Sequence, residues 1–233
     1  MKFGKPVLHF CPSCNKPMKE KTIASYTSRG GLVFSDGYRT GRPRGTPDLA
    51  KCPNCGAIFF IHNLWAEKEM SNEEAMHTKD IERPETEDYL KAIEKGLAKN
   101  REEELQIREA LWRSLNHEVR YDDDFTDEQM KIWEENNKAL LPLVEAKYAE
   151  MQKAIENKSG SDDDDENDDE GQLINMLITI MELHRNMGMF EEAALTLEQI
   201  PDKRCWFRNC YRKKLHEKNR LPFELTNDEQ EDE

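Results

Sequence analysis

Four of the six cysteines in this 233-residue chain fall into two pairs of identical spacing, Cys11-Pro12-Ser13-Cys14 and Cys52-Pro53-Asn54-Cys55. In each pair a proline follows the first cysteine, and a residue that tolerates positive φ, Asn15 or Gly56, follows the second. This pattern suits a tight knuckle, in which the chain reverses while two sulfurs are aimed at one point and Asn or Gly takes the left-handed conformation at little steric cost. Four thiolates on two such knuckles match tetrahedral Zn²⁺, and two pairs are far more specific than one. The expectation is one structural zinc with Cys11, Cys14, Cys52 and Cys55 as ligands. Two disulfides fit poorly, because Met1-Lys2-Phe3-Gly4-Lys5 does not read as a signal peptide and the compartment expected is the reducing cytoplasm. His9 and His62 lie near the knuckles, but four cysteines already fill a tetrahedral shell, so both histidines are expected to be structural or surface side chains.

Composition bounds the rest. A formal charge of −14 and a mean hydropathy of −0.93 describe a soluble type of chain. The most apolar run, Leu173 to Met181, is interrupted by Asn175 and Thr179 and falls well short of the ~20 residues a membrane helix needs. The charge is also divided unevenly. Residues 1–55 carry ten Lys and Arg against three Asp and Glu, a balance of +7 that leaves −21 for the remaining chain. A basic module invites a polyanion. Lys16, Lys19, Lys21 and Lys51 equally suit the −2 charge of zinc with four thiolates, or docking on the chain's own acidic part.

Short β-prone stretches surround the cysteines: Val7 to Phe10 before the first knuckle, Thr22 to Thr27 after it, and Ala57 to Ile61 after the second. Between the knuckles, Leu32-Val33-Phe34 leads into an Asp36-Gly37 turn, and Arg39 to Pro47 reads as a Gly/Pro/Arg loop. Strands flanking two such knuckles resemble the zinc-ribbon fold, also described as rubredoxin-like, over about residues 6–65. Thr40-Gly41-Arg42-Pro43-Arg44-Gly45 is similar to an AT-hook core, with Thr40 where the hook carries a cation. Beyond Trp65 the chain turns to charged helix formers. Pro84 and Thr86-Glu87-Asp88 mark a helix start, Ile107, Ala110, Leu111 and Leu115 form a stripe, and Thr126 with Gln129 forms a capping box. Pro142 is expected to kink or break the following helix. The run Asp162 to Glu170 reads as a flexible linker; as a calcium loop it has Asn167 where Gly is needed and Leu173 where a bidentate Glu is needed.

Leu173 to Met187, Gly188, and Phe190 to Ile200 read as helix, turn and helix, followed by a third helix over about 203–218. Gly188, Phe190, Ala193 and Leu197 resemble the turn and second helix of a tetratricopeptide repeat (TPR), although Met181 stands where that family prefers Gly and Pro201 comes earlier than its closing Pro. The arrangement as a whole resembles bacterial proteins that join an N-terminal zinc ribbon to TPR-like helices. Cys205 and Cys210, five apart on a helix, do not share a face and are expected to be core or boundary residues.

The expected fold is mainly α with a small β zinc ribbon. The expected organisation is a ribbon over 1–65, a helical region over 66–158, an acidic linker over 159–171, a TPR-like hairpin with capping helix over 172–220, and an acidic tail over 221–233. A closed four-cysteine site leaves no position for substrate, and no phosphate loop, His-Glu-x-x-His or Gly-x-Ser-x-Gly motif is present. The expectation is a non-enzymatic protein that binds protein partners through the ribbon and the helices. Two alternatives stay open: nucleic-acid binding through the basic ribbon, and a rubredoxin-like iron site.

Overall fold

The computed structural model describes residues 1–27, 30–41, 45, 47–64, 66–120, 124–158, 166–201 and 205–226. Among these, seven short strands precede or intersperse with seven helices: β1 (Lys2–Phe3), β2 (Val7–Phe10), β3 (Pro17–Glu20), β4 (Ile23–Ser25), β5 (Leu49–Lys51), β6 (Ile58–Phe60), β7 (Lys68–Glu69), α1 (Asn72–His77), α2 (Thr86–Glu94), α3 (Arg101–Glu118), α4 (Asp127–Lys158), α5 (Glu166–Asn186), α6 (Phe190–Glu198) and α7 (Cys205–His216). The molecule is thus mainly helical with three small antiparallel sheets. It divides into two compact units, one of residues 1–31 and 39–111, the other of 32–38 and 112–233. The seven residues 32–38, which lie between the knuckles in sequence, belong to the second unit.

The first unit carries every strand. β2 and β3 form a hairpin in register Val7↔Glu20 to Phe10↔Pro17, and β7 adds to the free edge of β2. β5 and β6 form a second hairpin, Leu49↔Phe60 to Lys51↔Ile58. Among the described residues no strand pairing joins these two hairpins to each other. The segment 79–82 reaches both: Lys19 and Ile81 donate backbone N–H to Lys79 and Lys19 carbonyls at 2.9 Å, and Lys51 and Glu82 exchange backbone bonds of 2.9 and 3.0 Å. A short apolar-centred stretch, Ile81 amid charges, therefore acts as a brace behind both hairpins.

The second unit is built on packed helices. Leu177, Met181, Ala193, Leu197, Ile200, Phe207, Tyr211, Leu215 and Phe223 form one buried cluster drawn from α5, α6, α7 and the segment after them. Gly188, at φ 77°, makes the turn between α5 and α6. Buried polar side chains are paired across this unit: Trp112 Nε1 donates to Asn186 Oδ1 at 3.0 Å and Trp133 Nε1 to Asn116 Oδ1 at 2.9 Å.

Three expectations are corrected. First, of the kink or break expected at Pro142 the break does not occur, since α4 runs from Asp127 to Lys158. The proline removes one i to i−4 bond, at a local cost of about 3 kcal/mol, but Trp133, Leu140 and Val144 on the same helix are buried and hold it in register. Second, the acidic linker does not extend to 171, because α5 begins at Glu166; its acidic residues occupy the helix N-terminus, where the dipole favours them. Residues 159–165, the rest of the expected linker, lie outside the described residues. Third, the first unit continues past residue 65, since β7, α1, the brace and α2 all fold with the cysteine hairpins. The capping box of α1, in which Ser71 Oγ accepts from Glu74 N–H and Glu74 accepts from Ser71 N–H, was legible as Ser-x-x-Glu but was not singled out.

Trp133 offers a test of the polar packing. Its side chain is fully buried, so Trp133→Ala should destabilise the chain by about 3–5 kcal/mol. Trp133→Phe, which keeps most of the ring but orphans Asn116 Oδ1, should cost about 1–3 kcal/mol. Urea denaturation followed by far-ultraviolet circular dichroism gives both numbers.

Candidate metal centre

Each knuckle is set by the strand before it and the turn that closes it. β2 delivers Cys11, whose N–H donates to the Lys16 carbonyl at 3.1 Å while Asn15 N–H returns to the Cys11 carbonyl at 2.9 Å. The second knuckle repeats the pattern: Cys52 N–H donates to the Ala57 carbonyl and Gly56 N–H to the Cys52 carbonyl, both at 2.9 Å. Asn15 and Gly56 occupy the left-handed region at φ 53° and 72°, as the turn requires. Ser13 N–H and Asn54 N–H point at the sulfurs of Cys11 and Cys52, each at 3.4 Å. The amide of Asn54 spans the knuckles, donating to the Pro17 carbonyl at 3.2 Å.

The four sulfurs lie within 4.8 Å of one another. Cys11 to Cys55 and Cys14 to Cys52, both between knuckles, are 3.8 Å apart. A metal bound to four sulfurs at ~2.3 Å would set tetrahedral edges of about 3.8 Å. A disulfide needs ~2.05 Å, and all four thiols are free. The donor set and spacing therefore fit a tetrahedral thiolate-bound metal. The cluster sits in a small apolar shell of Met18, Ala50 and Phe59, with Leu64 and Ile81 packed against it.

This setting divides the thiols. Burial dominates at Cys11 and pushes its thiol up to about 12. Burial also opposes ionisation of Cys52, but the N–H groups of Asn54 and Cys55 and the neighbouring thiols of Cys11 and Cys55 outweigh it, bringing Cys52 down to about 7. Only thiolates ligate, so metal binding is linked to proton release from the thiols.

His9, His62 and Cys210, which were not expected to be ligands, make other contacts. His9 is buried, its Nε2 3.0 Å from Glu20 Oε2 across the β2–β3 hairpin. His62 stacks at 5.4 Å on Phe60. Cys210 donates its thiol proton to the Thr226 carbonyl, and Cys205 opens α7. Arg42, Pro43 and Arg44 of the hook-like loop lie outside the described residues. The tail expected over 221–233 is corrected in its first part: residues 221–226 fold with the helical unit, Phe223 within its core, and only 227–233 lie outside the described residues.

Several basic side chains of residues 1–55 meet carboxylates of their own unit. Lys5 pairs with Glu69 at 2.8 Å, Lys21 with Asp80 at 2.7 Å, Lys19 with Asp80 at 3.5 Å, and Lys51 with Asp88 at 2.8 Å. Composition shows the charge imbalance; these partners are set by β7, the brace and α2, whose positions only the fold reveals. Asp88 is the most buried acceptor among them and also accepts from Glu85 N–H at 3.1 Å. Burial opposes its ionisation, yet the Lys51 ammonium and the Glu85 N–H hold its carboxyl below the usual range. The hydrogen bond to Asp88 in turn raises Lys51.

The sign of the pH dependence follows. A depressed carboxyl contributes stability above its unfolded value of ~3.9 and loses it as pH falls through the folded value. A raised ammonium contributes below its unfolded value of ~10.4 and loses it as pH rises through the folded value. Asp88→Ala should therefore lower stability by about 1–2 kcal/mol between roughly pH 5 and 10, and the gap to wild type should close below pH 4. Paired urea titrations at several pH values measure it.

Compared with family models, curated proteins and solved structures, the chain has no match in any of the three.

Proposed function

We propose that this chain is a non-enzymatic zinc protein, in which Cys11, Cys14, Cys52 and Cys55 hold one structural Zn²⁺ in a zinc ribbon and the helical unit binds protein partners in the manner of TPR-like hairpins. The observation that carries the proposal is the convergence of four free thiols at tetrahedral spacing. Four protein sulfurs complete the coordination shell, so the metal would organise the knuckles and offer no open position for chemistry. When bound, zinc supplies the cross-link between the knuckles; the chain supplies the N–H···S bonds of Ser13 and Asn54 that stabilise the thiolates. Free thiols at this spacing belong in a reducing compartment, here the cytoplasm. No helix of the described residues is long and apolar enough to cross a membrane.

The interaction role is supported by the helix, turn and helix of α5 and α6, where fully buried Ala193 faces the same cluster as Met181 and permits close approach. Stacked hairpins of this kind present faces to other proteins. The nucleic-acid reading is weakened because Lys5, Lys19, Lys21 and Lys51 are engaged by carboxylates.

Metal analysis of untagged protein should find about one zinc per chain and negligible iron. Cys52→Ser should strip the metal, while Cys210→Ser should leave it in place. Red iron-loaded protein, or zinc retained by Cys52→Ser, would overturn the assignment. Sub-micromolar, sequence-selective duplex binding by the full chain at physiological salt would replace the protein-partner reading with a DNA-binding one.

A further inference from the structure

The segment between the knuckles is shared by two constraints. Its two ends carry Cys14 and Cys52, and its middle, residues 32–38, is part of the helical unit. There Ser35 makes four hydrogen bonds. Its N–H donates to the Phe223 carbonyl at 2.9 Å, its hydroxyl donates to Glu182 at 2.6 Å and accepts from Phe223 N–H at 3.2 Å, and its carbonyl accepts from the Tyr211 hydroxyl at 2.7 Å. Glu182 is itself held by the buried Arg185 guanidinium through 2.9 and 2.6 Å bonds. The next residue, Asp36, is fully buried at its side chain and pairs with Arg120, whose guanidinium lies 4.0 Å over the Tyr38 ring. Val33 and Phe34 bridge to the C-terminal segment at Leu225 and Glu224. Residues 32–38 are therefore a strap whose polar groups complete the interior of a unit to which neither flank belongs.

We propose that metal binding at the four cysteines and seating of this strap are thermodynamically coupled, so that zinc stabilises the helical unit and the helical unit raises the affinity for zinc. The inference rests on the zinc reading above. Its physical basis is loop closure. A metal joining Cys14 to Cys52 turns residues 15–51 into a closed loop, which reduces the freedom of the unseated strap and hence the entropy lost when it seats. Linkage requires the reverse effect to be equal: a seated strap reduces the freedom of the chain joining the two knuckles, so less is lost when a metal gathers the four sulfurs. Seating is close to all-or-none, because an unseated strap takes from Arg120 its Asp36 partner together with the Phe34 and Tyr38 rings that its guanidinium lies over.

Two measurements on the full-length chain test the proposal from opposite ends. In a Trp65→Phe background the other three tryptophans, Trp112, Trp133 and Trp206, all belong to the helical unit. Their fluorescence should show a lower urea midpoint after zinc is removed by a chelator. Conversely, zinc affinity, read by competition with a chromophoric chelator, should fall roughly tenfold in Asp36→Asn and to a smaller degree in Ser35→Ala, although neither residue is a ligand. Purified protein without zinc would overturn the metal reading and the coupling with it. Zinc-loaded protein whose tryptophan unfolding curves superimpose with and without metal would overturn the coupling alone. So would variants whose helical unit unfolds at clearly lower urea while their zinc affinity stays within twofold of wild type.

Discussion

Bringing four cysteine sulfurs to one point, from two knuckles 38 residues apart in sequence, is the constraint on which the first unit depends. Thiols crowded at 3.8 Å in an apolar shell do little for one another without a metal, and burial holds the Cys11 thiol protonated far above its ordinary value. The unit meets this constraint with backbone geometry. Two identical turns, each closed by a residue at positive φ, aim the sulfurs, and the segment 79–82 hydrogen-bonds to both hairpins so that neither turn drifts. With zinc and four thiolates the site would carry −2. Exposed pairs such as Lys5 with Glu69 add little stability. Lys51 with Asp88 is different, since it ties the strand entering the second knuckle to the first turn of α2.

The second unit has a different organisation, a helical core with buried charge. Arg120 with Asp36 and Arg185 with Glu182 are ion pairs whose side chains are almost wholly removed from water. Pairs of this kind add little net stability compared with apolar packing, but losing one partner is expensive, so they favour a single arrangement of the chain. Here the arrangement they select includes seven residues borrowed from between the knuckles. Local signals give way to this packing. Pro142 is accommodated in α4 because the helix face that carries Leu140 and Val144 is buried, and the last acidic residues of the Asp-rich run join α5 because a helix N-terminus tolerates negative charge.

What could be read from residues alone follows the range of the interactions. The ligand quartet was legible because cysteine pairs at fixed spacing, with Pro and a left-handed residue, encode a local turn, and two such turns imply one shared point. The helices α2 to α7 were legible from apolar period and from caps such as Thr126 with Gln129. The brace at 79–82 and strand β7 were not, because two to four residues of ordinary composition leave no periodic signal, and their identity comes from partners far away in sequence, such as Lys19, Lys51 and Val7. The strap was half legible. The Asp36-Gly37 turn forms as its sequence implies, with Gly37 N–H on the Phe34 carbonyl at 2.9 Å, but nothing in Leu32 to Tyr38 says that Ser35 will lie against Glu182 and Phe223. For the same reason composition does not reveal the partners of Lys5, Lys19, Lys21 and Lys51, since the carboxylates that meet them come later in the chain.

The most direct test of the account is X-ray absorption at the zinc edge on protein purified without added metal. Four sulfur scatterers at about 2.3 Å with no nitrogen or oxygen neighbour are predicted, the signature of a closed site built by Cys11, Cys14, Cys52 and Cys55. A first shell containing a water or imidazole, or fewer than four sulfurs, would contradict it.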